Sequence, residues 1–341
     1  MYNTIMAPTD GSGFDSEAIR VATQMSNRLG ASLKLVRVAA APMVFTGPDN
    51  IDYPREAMQR EREWEISQLD ELAEECRAET RGTVTAVLEE GPVHDALGRF
   101  ARVNKVDLIV ISSHGRGGFA RLSLGSVTDS LIRGTNIPVL VVKAPSSYLN
   151  PRISRPFQQI LVPLDGSLLA EEIIPQAIEL AQRNEASVTL FHALIPTTYS
   201  QKQIEDTQPP WWEADVEIAR SYLSEQAEWI RRAGVPTSIE LTVDDNVADA
   251  IARAVSRIRA DLIAIATRGR GGLSRMIRGS VADRVVRTSR TSLLVFHPKT
   301  PVAAQEVPAK AVGGRRQTAS STSGSPKQTR DVSAEFPATP R

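Results

Sequence analysis

Aromatic side chains are scarce in this chain: Phe, Trp and Tyr supply 5% of its 341 residues. Any core must therefore be built from Val, Leu, Ile and Ala, and an apolar share of 41% allows that. Net charge is absent, with 40 Lys+Arg against 40 Asp+Glu. A nucleic-acid binder normally carries a basic excess, so no nucleic-acid partner is expected. Cys76 is the single cysteine. It permits no intramolecular disulfide and no cysteine metal spacing, and a reducing compartment suits it. Long hydrophobic runs are missing too: stretches such as Ile137–Val142 fall far below the roughly 20 residues that span a bilayer. The opening MYNTIMAPTDGS has no basic segment followed by an apolar one, so no signal peptide is expected. These absences lead to the expectation of a soluble, cytoplasmic protein with no membrane partner.

What is present is a duplication. IMAPTDGS at Ile5–Ser12 matches LVPLDGS at Leu161–Ser167, with Asp165 standing 155 residues after Asp10. ASLKLVRV at Ala31–Val38 matches ASVTLFHA at Ala186–Ala193 at the same offset. VDLIVISSHGRGG at Val106–Gly118 matches ADLIAIATRGRGG at Ala260–Gly272, now 154 residues apart. So long a period indicates duplicated domains, not a solenoid. The expected division is residues 1–143 for copy one, 144–155 for a Pro- and Ser-containing linker, 156–297 for copy two, and 298–341 for a tail. That tail has too little aliphatic periodicity to offset its ordering entropy, so disorder is expected there.

Within copy one, strand and helix patterns alternate. TIMAPT, LKLVRV, TVTAVLEEG, VDLIVISS and PVLVVK read as strands. Ala18, Val21, Ala22, Met25 and Leu29 recur at helical spacing, with Gly30 placed as a C-cap. Residues 55–80, HDALGRFARV, and a segment from about Ser126 read as further helices. VDLIVISS is apolar at nearly every position, which suits a parallel strand covered on both faces. The expected fold class is α/β: two tandem doubly wound domains, each with a five-stranded parallel sheet and about four helices. In copy two, Pro175 must either disturb its helix or mark its start. In such folds ligands lie beyond the carboxyl ends of the strands, at the switch point.

Each copy follows its fourth strand with a glycine cluster, in SSHGRGGFARLSLGS and ATRGRGGLSRMIRGS. Backbone N–H groups in such a loop, next to a helix N-terminus, suit an anion. Ser126 and Ser280 fit helix N-caps and offer hydroxyls. Arg116 and Arg121 in one loop, with Arg270, Arg275 and Arg278 in the other, offer positive charge. No lysine precedes either serine, so neither loop is a P-loop, and a dinucleotide fingerprint would follow the first strand. A ligand-free strand-to-helix turn stays open on this pattern alone.

GRGGFARLSLGSVTDSLI and GRGGLSRMIRGSVADRVV, with MAPTDGS and VPLDGS, resemble the ATP-binding signature of the universal stress proteins. That signature is Gly, two residues, Gly, nine residues, then Gly and Ser or Thr. The resemblance spans both copies and implies an adenine nucleotide alpha hydrolase-like fold. It implies that Pro8, Thr9, Asp10 and Val38 lie at the adenine and that Ser112 and His114 border ribose and phosphates. It further implies that Gly115, Gly125, Ser126, Val127 and Thr128 hold the phosphates. The matching set in copy two is Pro163, Leu164, Asp165, Ala193, Ala266, Arg268, Gly269, Gly279, Ser280, Val281 and Ala282. The cofactor implied is ATP, with any Mg²⁺ carried by the nucleotide. The resemblance also implies pairing of the two copies through PVLVV and SLLVF, or a homodimer. Ser112 and Ala266 stand where the signature has glycine. Leu164, Ala193, Arg268 and Ala282 replace Thr9, Val38, His114 and Thr128, so copy one is the expected nucleotide site.

Other readings stand beside these. Asp10 and Asp165 suit a helix N-cap as well as a ligand contact. His94, His192 and His297 share no motif and read as structural. Trp211 and Trp212 read as a helix anchor, and Cys76 is assigned no chemistry. No nucleophile–base set, carboxylate pair or metal cluster is evident, so a binding protein is expected over an enzyme. A nucleotide-independent interaction module is the alternative, and slow ATP hydrolysis is a third reading for which the loop offers no obvious water-activating base.

Overall fold

The computed structural model describes residues 2–39, 55–113, 124–143, 156–195, 212–267 and 280–298. The linker and nearly all of the tail lie outside these residues. Ten strands form one sheet in the order β3-β2-β1-β4-β5-β10-β9-β6-β7-β8. In copy one, β1 (Thr4–Pro8) pairs in parallel with β2 (Ser32–Ala39) and β4 (Leu108–Ser112). β3 (Val84–Glu90) lies outside β2, and β5 (Val139–Val142) outside β4. Copy two repeats this with β6 (Gln159–Pro163), β7 (Ser187–Leu194), β8 (Thr237–Val243), β9 (Leu262–Ala266) and β10 (Ser292–Phe296). The chain direction of strand addition reverses between β1 and β4, and between β6 and β9. Those are the two switch points.

The sheet is continuous because β5 and β10 pair antiparallel, Val139 opposite Val295, Leu140 opposite Leu294, and Val141 opposite Leu293. Equivalent residues therefore exchange partners about Leu140 and Leu294, an isologous contact. Both leucines are fully buried. Burial of a leucine side chain contributes roughly 1.5–3 kcal/mol.

Apolar side chains fill both faces of the sheet, as the uninterrupted runs of β4 and β9 require. One face carries α1 (Ser16–Leu29) and α2 (Arg55–Glu79), and the other α3 (Val93–Val103) and α4 (Ser126–Gly134). α1 buries Ala18, Val21, Ala22, Met25 and Leu29, the residues its helical spacing selects. Gly30 ends it in the left-handed region at φ 65°.

Copy two differs at its first helix. α1 is one helix of 14 residues, whereas copy two has α5 (Leu168–Glu171) and then α6 (Ile174–Asn184). Pro175 occupies the first turn of α6. It lacks an N–H, and its ring would clash with the carbonyl four residues earlier, so one helix cannot run through. Arg20 holds the equivalent place in α1. α7 (Trp212–Arg232), α8 (Val247–Ile258) and α9 (Ser280–Thr288) complete the fold.

Candidate functional site

β1 delivers Pro8, Thr9 and Asp10 to the carboxyl edge of the sheet, where the Thr9 N–H donates to the Val36 carbonyl at 2.9 Å. Thr9 is 7% exposed and Asp15 6%. The Thr9 hydroxyl donates to the Asp15 carboxylate, which also accepts from the N–H groups of Asp10 at 3.1 Å and Gly11 at 3.4 Å. Asp15 holds the N-cap place of α1 without capping it; its carboxylate turns back to tie down the loop. Asp10 instead accepts the Ser12 N–H at 2.9 Å, closing an Asx-turn rather than capping a helix. Gly11 sits at φ 71°, and a Cβ there would lie 2.5 Å from Arg37 Nη2. The left-handed φ favours glycine, and a Cβ would also displace the Arg37 guanidinium.

Copy two builds the same turn differently. Asp165 accepts from the Ser167 N–H at 3.0 Å and its hydroxyl at 2.6 Å, and Ser167 caps α5 through the Ala170 N–H at 3.2 Å. The residues equivalent to Thr9 and Asp15 are Leu164 and Ala170. A buried polar pair in one copy is thus an apolar pair in the other. Sequence reading caught Leu164 but missed its partner; the signal was that both members change together.

The end of β4 is stitched to the start of α4. The Gly125 N–H donates to the Ser113 carbonyl at 2.8 Å, and the Thr128 hydroxyl to the Ser112 carbonyl at 2.8 Å. Gly125, with φ −61° and ψ 149°, takes the N-cap place, and Ser126 is the first helical residue. The expectation of Ser126 as the N-cap is corrected accordingly: the chain turns into the helix one residue earlier. Val127 and Val38 are half-buried against the core face shared with α3. His114, Gly115, Arg116, Arg121, Arg268, Gly269, Arg270, Arg275, Arg278, Gly279 and Trp211 lie outside the described residues. For Ser280 and Trp212 only the helical backbone is described.

A cavity of ≈ 650 Å³ opens at the switch point of copy two. Its lining brings together Pro163, Leu164, Asp165, Ala193, Ala266, Val281 and Ala282, the predicted residues of that copy. Sequence reading had favoured copy one. Here Ala193 stands for Val38 and Ala170 for Asp15, and both smaller side chains line the space. Two histidines also line it, with Thr267. His192 Nδ1 lies 2.8 Å from the Leu164 carbonyl. His297 Nδ1 lies 2.8 Å from the Thr267 carbonyl and 2.6 Å from its hydroxyl. A carbonyl only accepts, so each Nδ1 carries its proton, and His297 Nδ1 cannot take one from Thr267. His297 Nε2 lies 3.3 Å from the same hydroxyl. Burial holds the His297 imidazole below the ordinary histidine range.

Four further side chains, none singled out from the sequence, meet where α4 faces α9. Arg133 Nε lies 3.0 Å from the Asp129 carboxylate and Nη2 2.7 Å from Asp283. Arg287 Nε lies 3.0 Å from Asp283, and Nη2 3.4 Å from Asp129. Asp129 and Asp283 are equivalent positions, as are Arg133 and Arg287. The four close a ring in which each copy supplies one acid and one base. Among the described residues no group of His, Cys, Asp or Glu could hold a metal ion, and no helix is long and apolar enough to cross a membrane.

These features define a class: two doubly wound α/β units joined at their last strands, with a cavity at a switch point. The profile of the universal stress protein family matches residues 1–143 and 156–297. The chain belongs to that family of stress-response proteins, in its tandem form. It is similar to a universal stress protein of Mycolicibacterium smegmatis, 25% identical over 300 residues that cover 86% of this chain and 97% of the relative. A universal stress protein of Mycobacterium bovis is 29% identical over 193 residues, covering 56% of this chain and 62% of that protein, so under two thirds of that relative is matched. The crystal structure of a universal stress protein from Archaeoglobus fulgidus covers 87% of this chain and 99% of its own at a TM-score of 0.62 and 19% identity, a likeness of fold.

Proposed function

We propose that this tandem universal stress protein binds ATP at its switch points and uses it as a regulatory or stabilising ligand, without turning it over. The observation that carries this reading is the ≈ 650 Å³ cavity lined by Pro163, Asp165, Ala193, Ala266 and Val281. Its volume lies within the ~300–1,000 Å³ usual for small-molecule sites, and its walls are mostly apolar with a few polar groups. Leu164, Phe191 and Ile265 suit a flat base, and the start of α9 at Val281 suits phosphate. In copy one, the Thr9–Asp15 clasp holds the Asp10 loop in a fixed shape, which favours binding by preorganisation. Any Mg²⁺ arrives with the nucleotide.

A ligand that binds only the folded chain stabilises it by RT ln(1 + [L]/Kd), about 2.7 kcal/mol at a hundredfold excess over Kd. Native mass spectrometry of the purified protein should find retained adenine nucleotide at one or two per chain. Calorimetry with no ATP heat up to millimolar concentration refutes the reading. A second reading, an interaction module that needs no nucleotide, draws on the β5–β10 ladder and the ring beside it. It predicts that Gly125→Trp leaves the cellular stress phenotype intact.

A further inference from the structure

The far end of the copy-two cavity belongs to both copies. Asp129, Ile132 and Arg133 of α4 line it together with Asp283 and Val286 of α9. Ile132 and Val286 are equivalent positions, as are the two aspartates, so the cavity reaches the contact about which the copies are related. The described lining holds three carboxylates, Asp129, Asp165 and Asp283. Arg133 is the one permanently cationic side chain among the described lining residues. Three carboxylates oppose an anionic ligand unless a cation meets it. The ring uses Arg133 Nε and Nη2. Nη1 makes no hydrogen bond to the described residues, which leaves a charged N–H donor for a phosphate oxygen.

Resting on the nucleotide reading above, we propose that Arg133, supplied by copy one, is a phosphate-reading residue of the cavity in copy two. The site is then composite. Phosphate at Arg133 draws on the same guanidinium that Asp283 holds at 2.7 Å. Ligand in copy two and the ion pairs between the copies therefore compete, and occupancy of one copy is felt at its contact with the other. A ligand shifts such an equilibrium only through its differential contacts, and Arg133 is where they lie.

The test is calorimetry of the full chain with two probes, ATP and adenosine. Ala193→Trp fills the cavity and identifies the copy-two binding class by its loss. Arg133→Gln should weaken ATP at that class on the order of tenfold, the scale of one charge-assisted hydrogen bond, and leave adenosine unchanged. Arg133→Lys should recover part of the loss. Asp283→Asn keeps the cation, releases Nη2 and should tighten ATP several-fold; it carries the test if Arg133→Gln fails to fold by thermal melting. Equal weakening of ATP and adenosine makes Arg133 a wall residue and overturns the proposal. Unchanged ATP binding in both Arg133→Gln and Asp283→Asn overturns it while the nucleotide reading stands. Absence of ATP binding by the unaltered chain overturns both.

Discussion

The Thr9–Asp15 clasp is the part of the site whose energetics are most directly open to measurement. Thr9→Val keeps the shape of the side chain and removes its hydroxyl. The Asp15 carboxylate then loses one of three donors, and the Gly11 N–H loses its 3.1 Å contact with Thr9 Oγ1 while keeping the 3.4 Å one with Asp15. A hydrogen bond to a charged group contributes roughly 1.5–3 kcal/mol, and both residues are over nine-tenths buried, so little screening reduces it. Asp15→Ala removes the acceptor for all three donors and should cost about 3–5 kcal/mol, since stranded buried donors cost about 1–3 kcal/mol each and some find water. In the double variant the hydroxyl has no partner left to lose. A urea-denaturation double-mutant cycle should therefore return a coupling of about 1.5–2 kcal/mol. The reverse experiment transplants the clasp. Leu164→Thr in copy two buries an unpartnered hydroxyl, and adding Ala170→Asp should recover stability relative to the sum of the single changes. Coupling within about 0.5 kcal/mol of zero at Thr9 and Asp15 would show that the two side chains act separately, and the reasoning fails.

Burial pushes the Asp261 carboxyl up to about 6, although the Gln158 and Gln159 N–H groups donate to it at 2.8 and 3.1 Å. The folded chain then keeps a proton that the unfolded chain releases near pH 3.9, so this contribution is present at low pH and lost as pH rises through 6. The swing is on the order of 3 kcal/mol, and the stability of the natural chain minus that of Asp261→Asn should fall by that scale between pH 4 and 7 in urea titrations; a constant difference contradicts it. For His297 the direction is opposite: its lowered folded value means the unfolded chain gains a proton first as pH drops below about 6.5, so stability falls there, and His297→Gln should flatten that slope. Gly11→Ala forces a side chain into the left-handed region and against Arg37, and should cost about 1–3 kcal/mol in thermal or chemical unfolding. Arg287→Ala breaks two half-exposed pairs, each worth up to about 1 kcal/mol, and its effect should shrink in 1 M NaCl.

Much of this was legible because it is periodic. The uninterrupted apolar runs at Leu108–Ile111 and Leu262–Ile265 suit parallel strands covered on both faces, and the face of α1 follows from its spacing. Pro175 announced a break, and the tie between ring and carbonyl placed it between α5 and α6. What stayed hidden depends on where distant segments meet. Nothing local says that Asp15 turns away from its own helix toward Thr9, since an aspartate before Ser16–Glu17 reads as a cap. The Gly125 N-cap depends on the Ser113 carbonyl reaching its N–H, which no sequence window contains. Asp129 and Arg133 look like an ordinary helical pair; their bonds to residues some 150 positions away arise only from the antiparallel meeting of β5 and β10.

That meeting also explains why the ring is kept in both copies while the clasp is not. In an isologous contact every residue faces the partner's equivalent surface, so a change at one position alters both halves of the pairing. One Asp and one Arg per copy satisfy the ring in both directions, and altering either in one copy strands a partner in the other. The Thr9–Asp15 clasp has no such tie, because it closes within its own copy. Leu164 and Ala170 replace it as a pair, leaving neither a stranded hydroxyl nor an unpaired carboxylate, and Ala170 lines the cavity. Single substitutions there cross an energetic penalty that the paired substitution avoids. The geometry thus separates two sets of residues. Those of the ring are bound to their counterparts across the ladder, while the clasp of copy one closes within its own copy.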